Sequence, residues 1–153
     1  MIGYNREIKM TAPAKIASCV RHLREMVAIP SVNPMNRSDL PRDIVGEHNL
    51  AEYVAETLRS MGLDSSLIGR DGRTSVVAEA HAHAKAETVL IASHLDTVPV
   101  DGMEIPPFDP AIENDRLFGR GSCDTKAGMA ALLAALSSVL QGGRLKRNVI
   151  IVG

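Results

Sequence analysis

The first segment that could do chemistry is SHLDTVP, residues 93–99, which follows the short apolar run TVLIAS. Open α/β sheets place their ligands at the carboxyl ends of strands. His94 and Asp96 are two residues apart, so they share one side of an extended chain. A metal-ligating imidazole commonly donates its other N–H to a carboxylate. The spacing therefore favours His94 as a metal ligand oriented by Asp96, the alternative being two polar residues in a solvated loop.

The second segment is GRGSCDTK, residues 119–126, a glycine-rich turn that opens a predicted helix. A dinucleotide-binding turn needs a third glycine where Asp124 stands. A P-loop needs Gly before Lys126 and Ser or Thr after it, but Thr125 and Ala127 occupy those places. Both phosphate-binding patterns fail. Asp124 is then either a simple helix N-cap or a carboxylate able to bridge two metal ions.

Hydrophobic periodicity predicts the elements that position these two segments. Apolar residues at helical spacing predict helices over residues 14–28, 50–61 and 126–141. Strands are predicted over residues 63–68, 74–80, 88–93, 115–119 and 149–152, with an Asp71-Gly72 hairpin turn between the first two. The run at 88–93 is typical of a strand buried on both faces. We expect an α/β fold, a layered mixed sheet with flanking helices.

Composition excludes several classes of function. The 153 residues carry 17 Lys and Arg against 18 Asp and Glu, a net charge of −1, with two Tyr, two Phe and no Trp. This balance offers neither a basic field nor stacking platforms, so we expect no nucleic-acid or membrane partner. No apolar run reaches the ~20 residues of a membrane span, and residues 1–11 show no signal peptide. With only two cysteines, a cytoplasmic location is expected.

The two segments, joined by the proline-bearing stretch PPFDPAIEND, resemble a family of two-zinc hydrolases. It contains acetylornithine deacetylase, succinyl-diaminopimelate desuccinylase, carboxypeptidase G and aminoacylase. The resemblance implies the N-terminal part of a zinc-exopeptidase catalytic domain. It makes His94 a ligand of one Zn²⁺, Asp124 a bridge between two, and Asp96 a support for catalysis. It also implies a cis Asp124–Thr125 peptide, and Co²⁺ or Mn²⁺ as substitutes for zinc.

The resemblance further implies a substrate and an assembly. Relatives hydrolyse amide bonds in N-acyl amino acids or small peptides, and complete relatives form homodimers. Their Glu-Glu pair, a further acidic ligand, an inserted dimerisation domain and a final His ligand have no counterpart in residues 1–153. We therefore expect an incomplete catalytic domain that is inactive by itself. The alternative is a non-catalytic binding or regulatory half-domain.

The last strand carries a further expectation. Residues 149–152 are apolar and β-branched, as in the interior strand of a larger sheet. In a chain of 153 residues this strand would then be an unpaired apolar edge that promotes association.

Overall fold

A computed structural model describes residues 12–70, 73–143 and 145–153. The stretch tested for a signal peptide and the Asp71-Gly72 step lie outside this description. The described residues form three helices: α1 (Ala12–Ala28), α2 (His48–Ser60) and α3 (Lys126–Gln141). Six strands accompany them: β1 (Asp64–Arg70), β2 (Arg73–Ala80), β3 (Thr88–Ala92), β4 (Ala111–Glu113), β5 (Arg116–Phe118) and β6 (Asn148–Val152). Every predicted helix and strand is found, with ends shifted by a few residues at most.

The main sheet is mixed, as expected, and has the order β1-β2-β6-β3. β1 pairs antiparallel with β2, β2 antiparallel with β6, and β3 parallel with β6. The three helices and one face of the sheet share a single hydrophobic core. Its fully buried members include Met26, Leu58, Val76, Leu133 and Ile151. The result is the layered α/β architecture that the periodicity predicts.

The expectation that β3 is buried on both faces is wrong. All five residues from Thr88 to Ala92 are exposed, and Leu90 is 62% exposed. The reason is position, because β3 forms the edge of the described sheet and only β6 flanks it. Leu90 pairs with Ile150 on the face opposite the helices, where Ile68 is also 59% exposed. An apolar run identifies a strand but not its place in the sheet.

The expectation of an unpaired last strand is also wrong. β6 lies between β2 and β3 and hydrogen-bonds to both. Residues Val77–Ala80 of β2 face β6 on one side, and the whole of β3 faces it on the other. Within the described residues, the open edges belong to β1 and β3.

A small hairpin separates β3 from α3. β5 is the short strand predicted over residues 115–119, and it pairs antiparallel with β4, which the periodicity does not predict. Asn114 and Asp115 form the turn with φ of 50° and 60°. Two consecutive positive φ values are the signature of the two-residue turn that matches strand twist. In the described part of the chain, no helix is long and apolar enough to cross a membrane.

Candidate metal centre

The fold brings His94 and Asp124 together. His94 lies two residues after the end of β3, and Asp124 lies two residues before the start of α3. The imidazole Nε2 is 3.2 Å from Asp124 Oδ1, although 30 residues separate the two in sequence. Both side chains are accessible, at 53% and 86% exposed. They line one groove of about 380 Å³ together with Asp96 and the glycine-rich turn.

The other imidazole nitrogen faces Asp96. His94 Nδ1 lies 3.0 Å from the Asp96 carbonyl oxygen and 3.2 Å from Asp96 Oδ1. Partial burial lowers the pKa of His94, but hydrogen bonds to the Asp96 carbonyl and to Asp124, with two negative charges, outweigh it and raise the pKa overall. An Nδ1–H that donates to Asp96 leaves Nε2 directed at Asp124, the arrangement common to metal-binding imidazoles.

Three residues that the sequence analysis did not single out hold Asp96, directly or through a neighbour, on the side away from His94. Asn33 Nδ2 donates to Asp96 Oδ2 at 2.6 Å, and Arg73 Nη2 donates to the same oxygen at 3.3 Å. Arg73 Nε also donates to Glu47 Oε1 at 2.7 Å. The Asn33-Pro34 step is a turn signal. Nothing local in the sequence, however, indicates that this turn reaches a residue 63 positions away.

The glycine-rich turn is packed against its neighbours so closely that side chains would not fit. Gly121 has φ of +81°, and an added Cβ would lie 2.8 Å from Thr97 Cγ2. Gly119 has φ of +146°, and its Cβ would lie 2.4 Å from Val27 Cγ1. The Asp124–Thr125 peptide is cis, as the resemblance implies. Glycine is therefore needed here for a close approach of the backbone rather than for phosphate binding.

Lys126 anchors the turn to α1. Its side chain is fully buried, and Nζ donates to the carbonyls of Met26 at 2.9 Å and Ile29 at 2.8 Å. Met26 lies in the last turn of α1 and Ile29 directly follows the helix, a region where backbone acceptors have no i+4 helical partner. Burial lowers the pKa of Lys126 to about 8. The residue after the cis peptide is thus fixed to the helix that precedes the Asn33 loop.

The donor atoms fit a zinc ion. Zinc prefers imidazole nitrogen and carboxylate oxygen at about 2.0–2.2 Å, so two ligands of a tetrahedral ion lie about 3.3 Å apart. The observed separation of 3.2 Å agrees with this value. Across residues 12–70, 73–143 and 145–153, however, no group of three or more His, Cys, Asp and Glu is placed to hold an ion. His94 and Asp124 are thus two candidate ligands, with no third beside them among the described residues.

Other histidines and cysteines of the described residues do not join His94 and Asp124 in a group of three possible metal ligands. His81 is exposed and pairs with Glu79 at 3.3 Å. Cys19 packs against the core, and Cys123 is an exposed free thiol in the groove.

The architecture defines an α/β domain, and the paired histidine and aspartate mark its candidate metal centre. Comparison with known proteins gives the family. Residues 90–153 match the sequence profile of Peptidase family M20/M25/M40. A probable succinyl-diaminopimelate desuccinylase from Staphylococcus epidermidis is 32% identical over 108 residues, which are 68% of this chain and 26% of that protein. A succinyl-diaminopimelate desuccinylase from Acidovorax ebreus is 31% identical over 121 residues, 76% of this chain and 30% of that protein.

Solved structures of similar fold point to the same family. The M20 family metallo-carboxypeptidase Sso-CP2 from Sulfolobus solfataricus superposes with a TM-score of 0.75 at 30% identity, over 88% of this chain and 30% of that one. Human carnosine dipeptidase 1 shares the fold, with a TM-score of 0.73 at 24% identity over 89% and 31% of the two chains. Residues 90–153 thus match the M20/M25/M40 family, and most of the chain is similar to the N-terminal part of such proteins. It spans about a quarter to a third of the relatives it matches.

Proposed function

We propose that this chain supplies one histidine ligand and the bridging aspartate of a two-zinc centre that hydrolyses amide bonds. The observation that carries the proposal is the convergence of His94 Nε2 and Asp124 Oδ1 at 3.2 Å in an accessible groove. Zinc, or Co²⁺ or Mn²⁺ in its place, supplies Lewis acidity that polarises the scissile carbonyl. The match to Peptidase family M20/M25/M40 and the similarity to a metallo-carboxypeptidase support a metal-dependent centre, for which we propose zinc.

Each of the three residues has a distinct role in this proposal. His94 would hold one ion through Nε2, while its Nδ1–H donates to the backbone carbonyl of Asp96. Asp124 would be the ligand shared by both ions, since a carboxylate can bridge a metal pair. Asp96 supports catalysis by fixing the imidazole, and its negative charge stabilises the ring when the ring is positively polarised.

The substrate class follows from the relatives. Those matched are named as desuccinylases of succinyl-diaminopimelate and as a carboxypeptidase, which supports an N-acyl amino acid or a small peptide as substrate. We propose that residues 1–153 are part of a larger catalytic domain and have little activity alone, since the described residues hold no cluster of three ligands. Homodimer formation is proposed for complete relatives only. The two free thiols support a cytoplasmic location.

Zinc binding to the purified chain tests the ligand assignment. We expect isothermal titration calorimetry to detect weak Zn²⁺ binding that H94A and D124A each abolish, because either change leaves one candidate ligand. H81A is the matched control, since it removes an exposed imidazole remote from the groove. Equal affinity in H94A and H81A would contradict the proposed ligand.

Hydrolysis tests the incomplete site. The chain with Zn²⁺ should not release free amine from N-succinyl or N-acetyl amino acids. Cleavage at a rate that D124A removes would show that the chain alone holds a working centre. The second candidate is a non-catalytic binding or regulatory half-domain. It predicts that neither ligand binding nor stability changes when zinc is added or when His94 or Asp124 is replaced.

A further inference from the structure

Asp96 is held from the side opposite His94 by residues to which no role has been assigned. Oδ1 of Asp96 lies 3.2 Å from His94 Nδ1 as an ion-pair contact beside the ring's hydrogen bond to the Asp96 backbone carbonyl, whereas Oδ2 accepts hydrogen bonds from Asn33 and Arg73. One carboxylate oxygen thus lies beside the imidazole, and the other is held by the two donors. Rotation of the carboxylate would break the contacts on both sides, so the groups on Oδ2 control the orientation of Oδ1.

The orientation of the Asn33 amide is determined by two complementary contacts. Its Nδ2 donates to Asp96, and its Oδ1 accepts from the Met35 backbone N–H at 2.9 Å. A flipped amide would place two acceptors together and two donors together, so only one orientation satisfies both. The second contact is a side-chain turn of the kind that asparagine forms two residues ahead of itself. Asn33 is therefore built to present a donor to Asp96.

The backbone around Asn33 runs alongside the backbone around Asp96. Val32 and Thr97 form a parallel bridge, in which Asn33 N–H donates to the Thr97 carbonyl at 2.8 Å and Thr97 N–H to the Ser31 carbonyl at 2.9 Å. The buried Ser31 hydroxyl donates to the Leu95 carbonyl at 2.8 Å. The loop after α1 is thus joined to the loop after β3, and the side-chain contact has a rigid base.

Arg73 reaches Asp96 from the sheet. Its guanidinium lies between two carboxylates, with Nε 2.7 Å from Glu47 Oε1 and Nη2 3.3 Å from Asp96 Oδ2. Glu47 is nearly buried at the start of α2 and also accepts the Thr74 backbone N–H at 3.3 Å. This anchored carboxylate fixes the arginine, and the planar fork of the guanidinium limits where its second nitrogen can point.

We propose that Asn33 and Arg73 are positioning residues, which hold Asp96 so that it keeps the His94 imidazole turned towards Asp124. The proposal rests on the proposed function, since it assigns these residues a purpose at the metal centre. It also makes a prediction that requires no metal. Asp96 occupies one side-chain rotamer in the wild-type chain and several when its Oδ2 contacts are removed.

The test compares N33D with N36D. N33D keeps the acceptor for Met35 but replaces the donor to Asp96 by a like charge, whereas N36D adds the same charge at an exposed residue of the same turn. The χ1 rotamer of Asp96 is measured from three-bond couplings in the metal-free chain, and the Kd for Zn²⁺ by calorimetry. We expect averaged couplings and about tenfold weaker zinc binding in N33D. N36D should match the wild type in both.

Arg73 provides an independent variant if N33D does not fold, because Arg73 is half-exposed and its removal spares the turn. R73Q should weaken zinc binding about threefold, since a half-exposed ion pair contributes less. R73K should recover part of the loss, and R70Q on the facing strand position should have no effect.

Two results would overturn the proposal. The first is a single Asp96 rotamer in both N33D and R73Q. The second is an N33D variant with averaged Asp96 couplings that nevertheless binds zinc as tightly as N36D does. Failure of the proposed function looks different, because wild-type zinc binding would then be unchanged in H94A. The metal-free couplings still decide in that case whether Asn33 and Arg73 hold Asp96.

Discussion

Replacing Gly119 by alanine tests how tightly the glycine-rich turn is packed against α1. The new Cβ would lie 2.4 Å from Val27 Cγ1 and 3.2 Å from the Pro107 carbonyl oxygen. Val27 is fully buried near the C-terminal end of α1 and has little room to move. The backbone at Gly119, with φ of +146°, is also one that side-chain-bearing residues rarely adopt. G119A should therefore destabilise the domain for two separate reasons.

The magnitude follows from these two contributions. An unfavourable backbone conformation costs about 1–3 kcal/mol. Overpacking a filled core costs about 1–3 kcal/mol more. The free energy of unfolding should thus fall by about 4 kcal/mol, a large part of the stability of a typical domain. G62A serves as the control, because Gly62 has φ of +86° but nothing within 4 Å of its Cβ. It should lose only about 1–2 kcal/mol.

Urea denaturation followed by circular dichroism measures these differences, and a double-mutant cycle isolates the clash. V27A alone should cost about 2 kcal/mol by leaving a cavity. Combined with G119A, V27A removes the methyl group that the new Cβ meets. The double variant should therefore lose at least about 1 kcal/mol less than the sum of the losses in G119A and V27A. The packing argument is refuted if G119A loses no more than G62A, or if G119A and V27A are additive.

Two further predictions concern pH. Because burial lowers the pKa of Lys126 from 10.5 to about 8, the unfolded chain binds more protons between these values. The free energy of unfolding should therefore rise with pH across that window, and urea denaturation of K126M should show a flatter profile; an equal slope in both proteins would contradict this. Burial, aided by Arg21 and opposed by Glu25, lowers the pKa of His22 below 6.5, while its Nδ1 lies 2.7 Å from Tyr53 Oη. Stability should fall as pH drops below 6.5, and thermal melting of H22Q should show a smaller fall, whereas parallel curves would remove His22 as the cause.

Features that depend on near neighbours were predictable. The bounds of α3 at Lys126 and Gln141 agree with the periodicity, because an apolar stripe at helical spacing and the Gly142-Gly143 stop are local signals. The two chemistry-bearing segments were also visible, since both follow from residue types at short spacing. The cis Asp124–Thr125 peptide came from the resemblance alone.

Features that depend on distant neighbours were not predictable. β3 and β6 are similar apolar runs, yet one is an exposed edge and the other lies between two strands. Strand order is decided by pairing across the whole chain, which a local pattern does not contain. Asn33 and Arg73 were missed for the same reason, because each contacts Asp96 only after the intervening chain has folded.

The sequence by itself determined which residues could bind a metal and which elements carry them, since side-chain chemistry and periodicity are properties of short segments. Tertiary structure decided that His94 Nε2 and Asp124 Oδ1 meet at 3.2 Å, and that Asp96 is fixed between the imidazole and two donors. Such distances arise only when the strands have paired and the loops that follow them have packed against one another. A metal centre depends on those distances, because a ligand displaced by even an ångström no longer binds the same ion.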